Sequence, residues 1–275
     1  MKKRDFAWSK ILIYLLLTLL LLLSVVPFYL VMINGTHTSF DIVTKLNLLP
    51  GKALAENYAT MQSHVNIWQG FLNSLLIAVP YTLLTGYFGA FTAYGFAKFR
   101  FRGKEALYAV VLASMMIPTQ VTIIGFYQLN LKLKLLNSYL PFILRGFCNA
   151  TTVFFLRGMI TQSIPDSMLE AARIEGCSEL RIFNRLVLPC VKPGIMTMSI
   201  FNFVACWNSY IEPLIIMTDN KKYTMPVMIS MIKGLYLSNY GAMYLAIAIS
   251  VVPILVVFCF FSKYIINGLT VGSDK

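Results

Sequence analysis

Six long apolar stretches constrain what this chain can fold into. They lie near residues 11–33, 71–97, 106–126, 139–160, 194–217 and 242–262. Each approaches or exceeds the roughly 20 residues that an α-helix needs to cross about 30 Å of hydrocarbon. Charged residues make up only 12% of the chain, whereas a soluble domain has about 25%. The sequence therefore predicts an all-α integral membrane protein with six transmembrane helices and one transmembrane domain over 1–275.

The distribution of Lys and Arg predicts the orientation of the chain. Of the 23 Lys and Arg residues, 15 fall in the N-terminal segment, the 98–105 and 157–193 loops and the C-terminal tail. The loops 34–70, 127–138 and 218–241 together hold 7. Because cytoplasmic loops carry the excess of positive charge, both termini are expected in the cytoplasm. The net charge of +12 thus indicates membrane orientation and not a nucleic-acid partner.

The 161–193 loop is the most polar part of the chain, and we expect it to form a cytoplasmic hairpin of two amphipathic helices between spans 4 and 5. Leu169, Ala172 and Gly176 fall on one face of the first helix. Gly176 can end that helix in a left-handed conformation, and Ser178 can cap the second. A hairpin lying on the lipid surface is one interpretation. The small residues of the first helix favour close packing in a protein groove instead.

A motif of fixed spacing lies in this loop. The letters EAA at 170–172 are followed after three residues by Gly176 and after nine more by LVLP at 186–189. This pattern resembles the EAA motif, E-A-A-x3-G-x9-I-x-L-P, of the membrane subunits of binding-protein-dependent ABC importers, with Leu in place of the usual Ile. The stretches WNSYIEPLI (207–215) and NGLTVGSDK (267–275) are similar to the carbohydrate branch of that family, the MalG-like permeases.

In that family, the helix in this loop is the coupling helix, which docks in a groove of a cytoplasmic ATPase subunit. The resemblance implies an ATPase-coupling role here for Leu169, Glu170, Ala171, Ala172, Arg173 and Gly176. It also implies the partners, namely a second homologous permease subunit, two ATPase subunits that bind the ATP, and an extracytoplasmic solute-binding protein. The expected location is the bacterial cell membrane, where the chain crosses the lipid bilayer several times.

Catalytic and metal-binding residues are not expected in this chain. No phosphate-binding loop of the form G-x-x-x-x-G-K-[ST] occurs, because neither Gly51-Lys52 nor Gly103-Lys104 is followed by Ser or Thr. The two histidines both lie in the first outer loop, where we expect solvated side chains, and the five cysteines include no C-x-x-C pair. The chain is therefore predicted to be neither an enzyme nor the holder of a cofactor.

Five residues within the predicted spans are candidates for a substrate path. Trp207, Asn208 and Tyr210 combine aromatic faces, which stack on sugar rings, with an amide that can bind hydroxyl groups. Arg145 and Glu212 lie roughly 9 and 8 Å from the same membrane surface, at 1.5 Å per helical residue. Because unpaired charges in hydrocarbon are costly, one interpretation is a structural Arg145–Glu212 pair, or an Arg145 side chain that reaches the surface. The other is that Arg145 binds an acidic substrate bidentately.

The leading hypothesis is one half of the translocation pathway of a carbohydrate importer. An importer permease for an amino acid, a peptide or a phosphonate is the alternative within the family. A secondary transporter has less support, since that class often buries carboxylates for ion coupling and Glu212 is the one carboxylate in the predicted spans. For the aromatic segment 207–210, helix packing against the partner permease is the alternative to a substrate path.

Overall fold

The computed structural model describes the backbone of residues 2–232 and 239–270 and the side chains of residues 10–232 and 239–262. The predicted family-like stretch at 267–275 lies outside the described side chains. In this part of the chain, every regular element is a helix. The helices are α1 (Lys2–Asn34), α2 (Ser39–Thr44), α3 (Leu54–His64), α4 (Ile67–Lys98), α5 (Lys104–Met115), α6 (Thr119–Lys132), α7 (Leu140–Leu144), α8 (Ala150–Ser163), α9 (Asp166–Ile174), α10 (Glu179–Cys190), α11 (Lys192–Trp207), α12 (Ile211–Ile216), α13 (Met225–Met231) and α14 (Tyr240–Thr270).

Three of the six predicted spans are single long apolar helices. Lys10–Asn34, Ile67–Lys98 and Tyr240–Ser262 are each long and apolar enough to cross a membrane. They coincide with the first, second and sixth predicted spans. Pro80 and Pro253 lie inside these helices without ending them.

The other three predicted spans are not single helices, because each is divided by a break. The 106–126 stretch is divided between α5 and α6, whose axes differ by 104°. Pro118 stands at this break, where it has no backbone N–H with which to continue α5. The 139–160 stretch is divided between α7 and α8, and the Asn149 side chain caps α8 by accepting a hydrogen bond from the Thr152 amide at 2.9 Å.

The fifth predicted span, 194–217, is also divided. Helix α11 ends at Trp207 and α12 begins at Ile211. Pro213 lies in the first turn of α12, where its missing N–H costs no helical hydrogen bond, whereas in a continuous helix it would leave the carbonyl of Ser209 unpaired. Helix α11 is also bent by 76° from α10 before it.

The chain divides into two compact units, of which the first comprises residues 1–67 and 228–252. The polar centre of this unit is Asn57 of α3. Its amide donates hydrogen bonds to the carbonyl oxygens of Gly35 and His37, both at 2.9 Å. The His37 ring lies 2.8 Å from the carbonyl oxygen of Leu49. This histidine therefore holds the loop and is half-buried, not solvated as expected.

The second unit comprises residues 68–227 and 253–275, and its core forms where α4 meets α8. A Cβ atom on Gly89 of α4 would lie only 2.7 Å from Cγ2 of Thr152 on α8. Ala93, one turn further along α4, is fully buried in the same core. The small residues thus allow the two helices to approach closely. Leu156 of α8 and Phe183 of α10 continue this core toward the 161–193 loop.

Candidate functional site

The first helix of the 161–193 loop is attached to α4 at its N-terminal end. Lys98 Nζ donates to the carbonyl oxygen of Ile164 at 2.5 Å and to Asp166 Oδ1 at 2.7 Å. The Lys98 side chain is only 7% exposed, so its charge needs these partners. The hydrogen bond from Lys98 lowers the pKa of the Asp166 carboxyl. The hydrogen bonds of Lys98 therefore join the C-terminal end of α4 to the N-terminal end of α9.

Gly176 ends α9 in the left-handed conformation that the sequence predicts, with φ +77°. The amide of Cys177 donates to the carbonyl of Ala172 and the amide of Gly176 to the carbonyl of Arg173, both at 3.0 Å. This pair of bonds is a Schellman motif, which satisfies carbonyls that the end of a helix leaves free. Ser178 occupies the N-cap position of α10, but its side chain makes no capping hydrogen bond.

Glu179 connects both helices of the hairpin to α4. Its Oε1 atom accepts a hydrogen bond from Arg173 Nε of α9 at 2.6 Å, and Oε2 accepts one from the Tyr94 hydroxyl of α4 at 3.0 Å. The hydrogen bond from Arg173 lowers the pKa of the Glu179 carboxyl. The Arg173 guanidinium also lies 6.0 Å from the ring centroid of Phe99. Arg173, predicted as a contact for an ATPase subunit, is thus engaged within its own chain.

The small-residue face of α9 points inward. Leu169 is 1% exposed and Ala172 is 8% exposed, and both belong to the core formed by α4, α8 and α10. The groove that these two side chains fill lies within this chain, so any contact of α9 with another protein must use its other face. Glu170 and Ala171 are exposed on the opposite face.

Two apolar residues of the hairpin are exposed, which the sequence did not predict. Ile174 is 88% exposed at the end of α9, and Leu180 is 61% exposed in α10. Ile174 follows Glu170 by four residues, so both lie on the same face of the helix. A β-branched apolar residue on an otherwise polar face was the signal in the sequence. Together, Glu170, Ala171, Ile174 and Leu180 form what we call the hairpin surface.

A cavity of about 510 Å³ lies in the second unit beside the break between α11 and α12. Asn208, Tyr210, Arg145 and Glu212, four of the five residues predicted for a substrate path, line it. The fifth, Trp207, does not line the cavity. Its ring is 2% exposed and packs against Phe203 and Phe71, with centroid distances of 5.8 and 5.5 Å. The break in the helix therefore separates a buried tryptophan from the lining residues that follow it.

Arg145 and Glu212 form an ion pair, which is one of the interpretations that the sequence leaves open. Arg145 Nη1 donates a hydrogen bond to Glu212 Oε2. The side chain of Glu212 is 13% exposed and that of Arg145 is 44% exposed. The guanidinium carbon also lies 5.1 Å from the ring centroid of Phe126. Both residues line a second, adjoining cavity of about 450 Å³, so the pair stands between the two spaces.

Thr224 is a lining residue that sequence analysis did not find. It is 4% exposed, and its hydroxyl has no hydrogen-bond partner among the described residues. The segment that carries it follows α12, and only the tertiary fold brings this segment to the cavity. Within the part of the chain that the structure describes, no group of His, Cys, Asp and Glu is arranged to hold a metal ion.

Comparison with known proteins gives a consistent set of similarities. Residues 84–271 match the sequence profile of a family described as the binding-protein-dependent transport system inner membrane component. The chain is 30% identical to the arabinooligosaccharides transport system permease protein AraQ of Bacillus subtilis, over 98% of each chain. It is 32% identical to the diacetylchitobiose uptake system permease protein NgcG of Streptomyces coelicolor, over 94% of this chain and 87% of that protein.

Similarity extends to another sugar system and to a solved structure. The lactose transport system permease protein LacG of Rhizobium radiobacter is 28% identical over 95% of each chain. A crystal structure of a bacterial ABC transporter involved in the import of the acidic polysaccharide alginate contains a similar chain. It superposes with a TM-score of 0.81 at 21% identity, over 95% of this chain and 98% of that one. At that identity, the likeness concerns the fold alone.

Proposed function

Since this chain belongs to the family of binding-protein-dependent transport system inner membrane components, we propose that it is a permease subunit of an ATP-driven carbohydrate importer. As a member of this family it is a membrane-embedded transporter subunit and not an enzyme. The substrate class rests on the arabinooligosaccharide, diacetylchitobiose and lactose permeases to which the chain is similar. Its cavity, whose lining residues include several with hydroxyl or amide groups, is compatible with the same substrate class.

The proposed topology is a single transmembrane domain over 1–275 with six spans and both termini in the cytoplasm. Three long helices, the bent pair α5–α6 and the apolar helix α11 support this proposal. The broken stretch α7–α8 supplies the remaining crossing. The excess of Lys and Arg in the loops assigned to the cytoplasm supports the orientation. The proposed membrane is the bacterial plasma membrane, which is implied by a family of inner membrane components.

Membership of the family implies a partner ATPase and a solute-binding protein. We propose the full assembly as this chain, a second homologous permease, two ATPase subunits that bind ATP, and one extracytoplasmic solute-binding protein. This chain then forms half of the translocation pathway. The cavity beside the α11–α12 break, with Asn208, Tyr210, Arg145 and Glu212, is its contribution to that path. Trp207 does not line the cavity but packs behind the residues that do.

Coupling to the ATPase is assigned to the hairpin surface. Leu169 and Ala172 anchor α9 from inside, and Gly176 and Arg173 fix its end against α10. Because Lys98 and Tyr94 of α4 bind the hairpin through Asp166 and Glu179, a displacement of the hairpin moves α4 with it. The observation that carries the proposal is this arrangement: one face of the hairpin is buried in the membrane domain and the other presents an exposed Ile174.

The test is co-purification of the ATPase with variants of this chain. Burying an isoleucine side chain is worth about 1.5–3 kcal/mol, so Ile174→Glu is expected to weaken ATPase binding at least tenfold, at about 1.4 kcal/mol per factor of ten. Leu46→Glu is the matched control, because Leu46 is 75% exposed and precedes α3 in a predicted outer loop. If Ile174→Glu retains the ATPase as well as Leu46→Glu does, the hairpin surface is not the docking site.

A further inference from the structure

A groove of about 600 Å³ lies in the second unit between α4, α10, α11 and α14, and we call it the α4–α11 groove. It shares no lining residue with the cavity beside the α11–α12 break. Its walls are mostly apolar side chains, which include Val79, Leu83, Leu188, Ile195, Phe203 and Phe261. Two of its hydroxyl groups are already bonded: Thr82 donates to the carbonyl of Ala78 at 2.7 Å, and Tyr87 to Asn184 Oδ1 at 3.3 Å. The groove therefore suits an apolar ligand and not a sugar.

The groove is open along one side of α4. Leu83 lines it but is 68% exposed, and Val79, about one turn away, is exposed as well. Because α4 is a long apolar helix that can cross a membrane, this opening faces hydrocarbon in the proposed topology. An acyl chain of a lipid can therefore enter the groove from the side, without leaving the membrane.

The length of the groove matches one leaflet of a bilayer. Its lining residues on α11 extend from Lys192 to Phe203, a rise of about 16 Å at 1.5 Å per residue. One leaflet supplies about 15 Å, half of a hydrocarbon layer of about 30 Å. Helix α11 begins at Lys192, and the proposed topology places this end at the cytoplasmic surface. The groove therefore extends from that surface to about the middle of the membrane.

The cytoplasmic end of the groove carries a positive charge. Lys192 is the one charged residue among the described residues that line the groove. It is exposed and forms no ion pair with another described residue. A lysine stem can lie along apolar surface while its ammonium group stays at the membrane interface, where it can bind a phosphate. An apolar helix of a partner protein would also fit the walls, but the charge favours an amphiphile with an anionic head.

We propose that the α4–α11 groove binds one anionic phospholipid of the inner leaflet, with an acyl chain between α4, α11 and α14 and the phosphate paired with Lys192. Basic pockets between transmembrane helices at the cytoplasmic surface bind anionic headgroups in this way. The inference goes beyond the proposed function and takes only its membrane orientation from it. A failure of this site would leave carbohydrate import as proposed.

The first test measures the contribution of the charge. The complex of both permeases and the ATPase subunits, in a neutral detergent, is titrated with phosphatidylglycerol and with phosphatidylcholine of the same acyl chains, and native mass spectrometry counts the bound lipid. Lys192→Gln is expected to weaken phosphatidylglycerol binding at least threefold and to leave phosphatidylcholine binding unchanged. Arg102→Gln is the matched control, because Arg102 is exposed in a loop proposed to be cytoplasmic and does not line the groove. Equal phosphatidylglycerol affinities for the two variants would overturn the inference.

The second test fills the space for the acyl chain. Leu83→Trp enlarges an exposed lining residue, and is expected to weaken binding of phosphatidylglycerol at least threefold. Leu76→Trp is the matched control, because Leu76 is exposed about two turns earlier in α4 and does not line the groove. If Leu83→Trp binds phosphatidylglycerol as tightly as Leu76→Trp does, the inference fails. If Leu83→Trp instead loses the second permease on size-exclusion chromatography, the groove is an interface between permeases, and the inference fails as well.

Discussion

At the scale of single residues, Gly176 shows how the backbone fixes the geometry of the hairpin. A Cβ atom at this position would meet nothing within 4 Å, so space is not what requires glycine. The requirement comes from φ of +77°, which is unfavourable for a residue with a side chain. Gly158 of α8 offers a direct comparison, since its Cβ would also meet open space but its φ is not positive.

We therefore predict opposite effects for the same substitution at these two glycines. Gly176→Ala is expected to cost about 1–2 kcal/mol, the cost of a left-handed alanine, whereas Gly158→Ala is expected to stabilise by up to about 1 kcal/mol through helix propensity. Hydrogen exchange of the α9 amides measures the first effect, and the melting temperature of the purified complex measures both. Equal exchange in α9 for the two variants would show that the turn at Gly176 imposes no constraint.

Sequence reasoning succeeded for residues whose role is set locally. Gly176 was predicted because a helix end is a local pattern, and the Arg145–Glu212 pair because depth in a membrane follows from counting residues. Ile174 and Thr224 were missed for the opposite reason. Whether Ile174 is exposed depends on which face of α9 packs on α4 and α8, and Thr224 reaches the cavity only through the hydrogen bonds of Asn73 and Ser74.

At the scale of helices, the close contact between α4 and α8 depends on the Cγ2 methyl group of Thr152, which faces Gly89. A Cβ on Gly89 would lie 2.7 Å from Cγ2 of Thr152 and 3.3 Å from its Cβ. The Thr152 hydroxyl accepts a hydrogen bond from the Asn202 amide at 2.9 Å, so the residue cannot rotate freely to make room. The absence of a side chain at Gly89 and the fixed side chain of Thr152 thus set the short distance between α4 and α8.

Gly89→Ala is predicted to destabilise the assembled protein by about 1–3 kcal/mol, as overpacking does. Thr152→Ser removes the obstructing methyl group and retains the hydroxyl for Asn202, so the double variant is expected to recover most of the loss. Thermal unfolding of the single and double variants in the same detergent provides the measurement. A double variant no more stable than Gly89→Ala alone would mean that the clash lies elsewhere.

Helix breaks were the part of the fold that the sequence predicted least well. Hydrophobic length located the apolar stretches, but apolar residues are equally compatible with a continuous helix and with two shorter ones. Proline did not settle the matter, since Pro118 and Pro213 stand at breaks whereas Pro80 and Pro253 lie inside intact helices. The difference lies in whether neighbouring segments can satisfy the freed backbone groups, which is a tertiary property.

At the scale of the whole molecule, the proposed topology can be tested by thiol labelling. In a cysteine-free background, Leu46→Cys is expected to react with a membrane-impermeant maleimide in intact cells, and Phe101→Cys only in inverted vesicles. Both side chains are exposed, at 75% and 43%, and neither change alters the distribution of positive charge. The cysteine-free parent is needed because Cys148, Cys190 and Cys259 are exposed. Labelling of both positions from the same side would exclude the proposed orientation.

Family membership was the global property that the sequence predicted best. The EAA motif at 170–172 with Gly176 indicated an importer permease, and the match over residues 84–271 confirms this family. The motif can be recognised in a sequence because its residues have a fixed spacing. That spacing suits a hairpin that packs against its own membrane domain. The sequence did not reveal which face of that hairpin packs inward, since Leu169 and Ala172 suit either a partner or the chain itself.

The break at residues 208–210 also has a consequence for hydration. At the end of α11, the carbonyl groups of Val204 and Cys206 accept hydrogen bonds from the amides of Asn208 and Ser209, at 3.0 and 3.2 Å, and not from a continuing helix. In a membrane such a break is tolerated where it is buried in protein or lines a water-filled space, so we expect the adjoining cavity to hold water when no ligand is present. In the proposed path, a sugar would enter by replacing those waters one hydroxyl at a time. Because the exchanged hydrogen bonds are nearly equal in enthalpy, we expect such a solute to meet a shallow energy profile along the cavity.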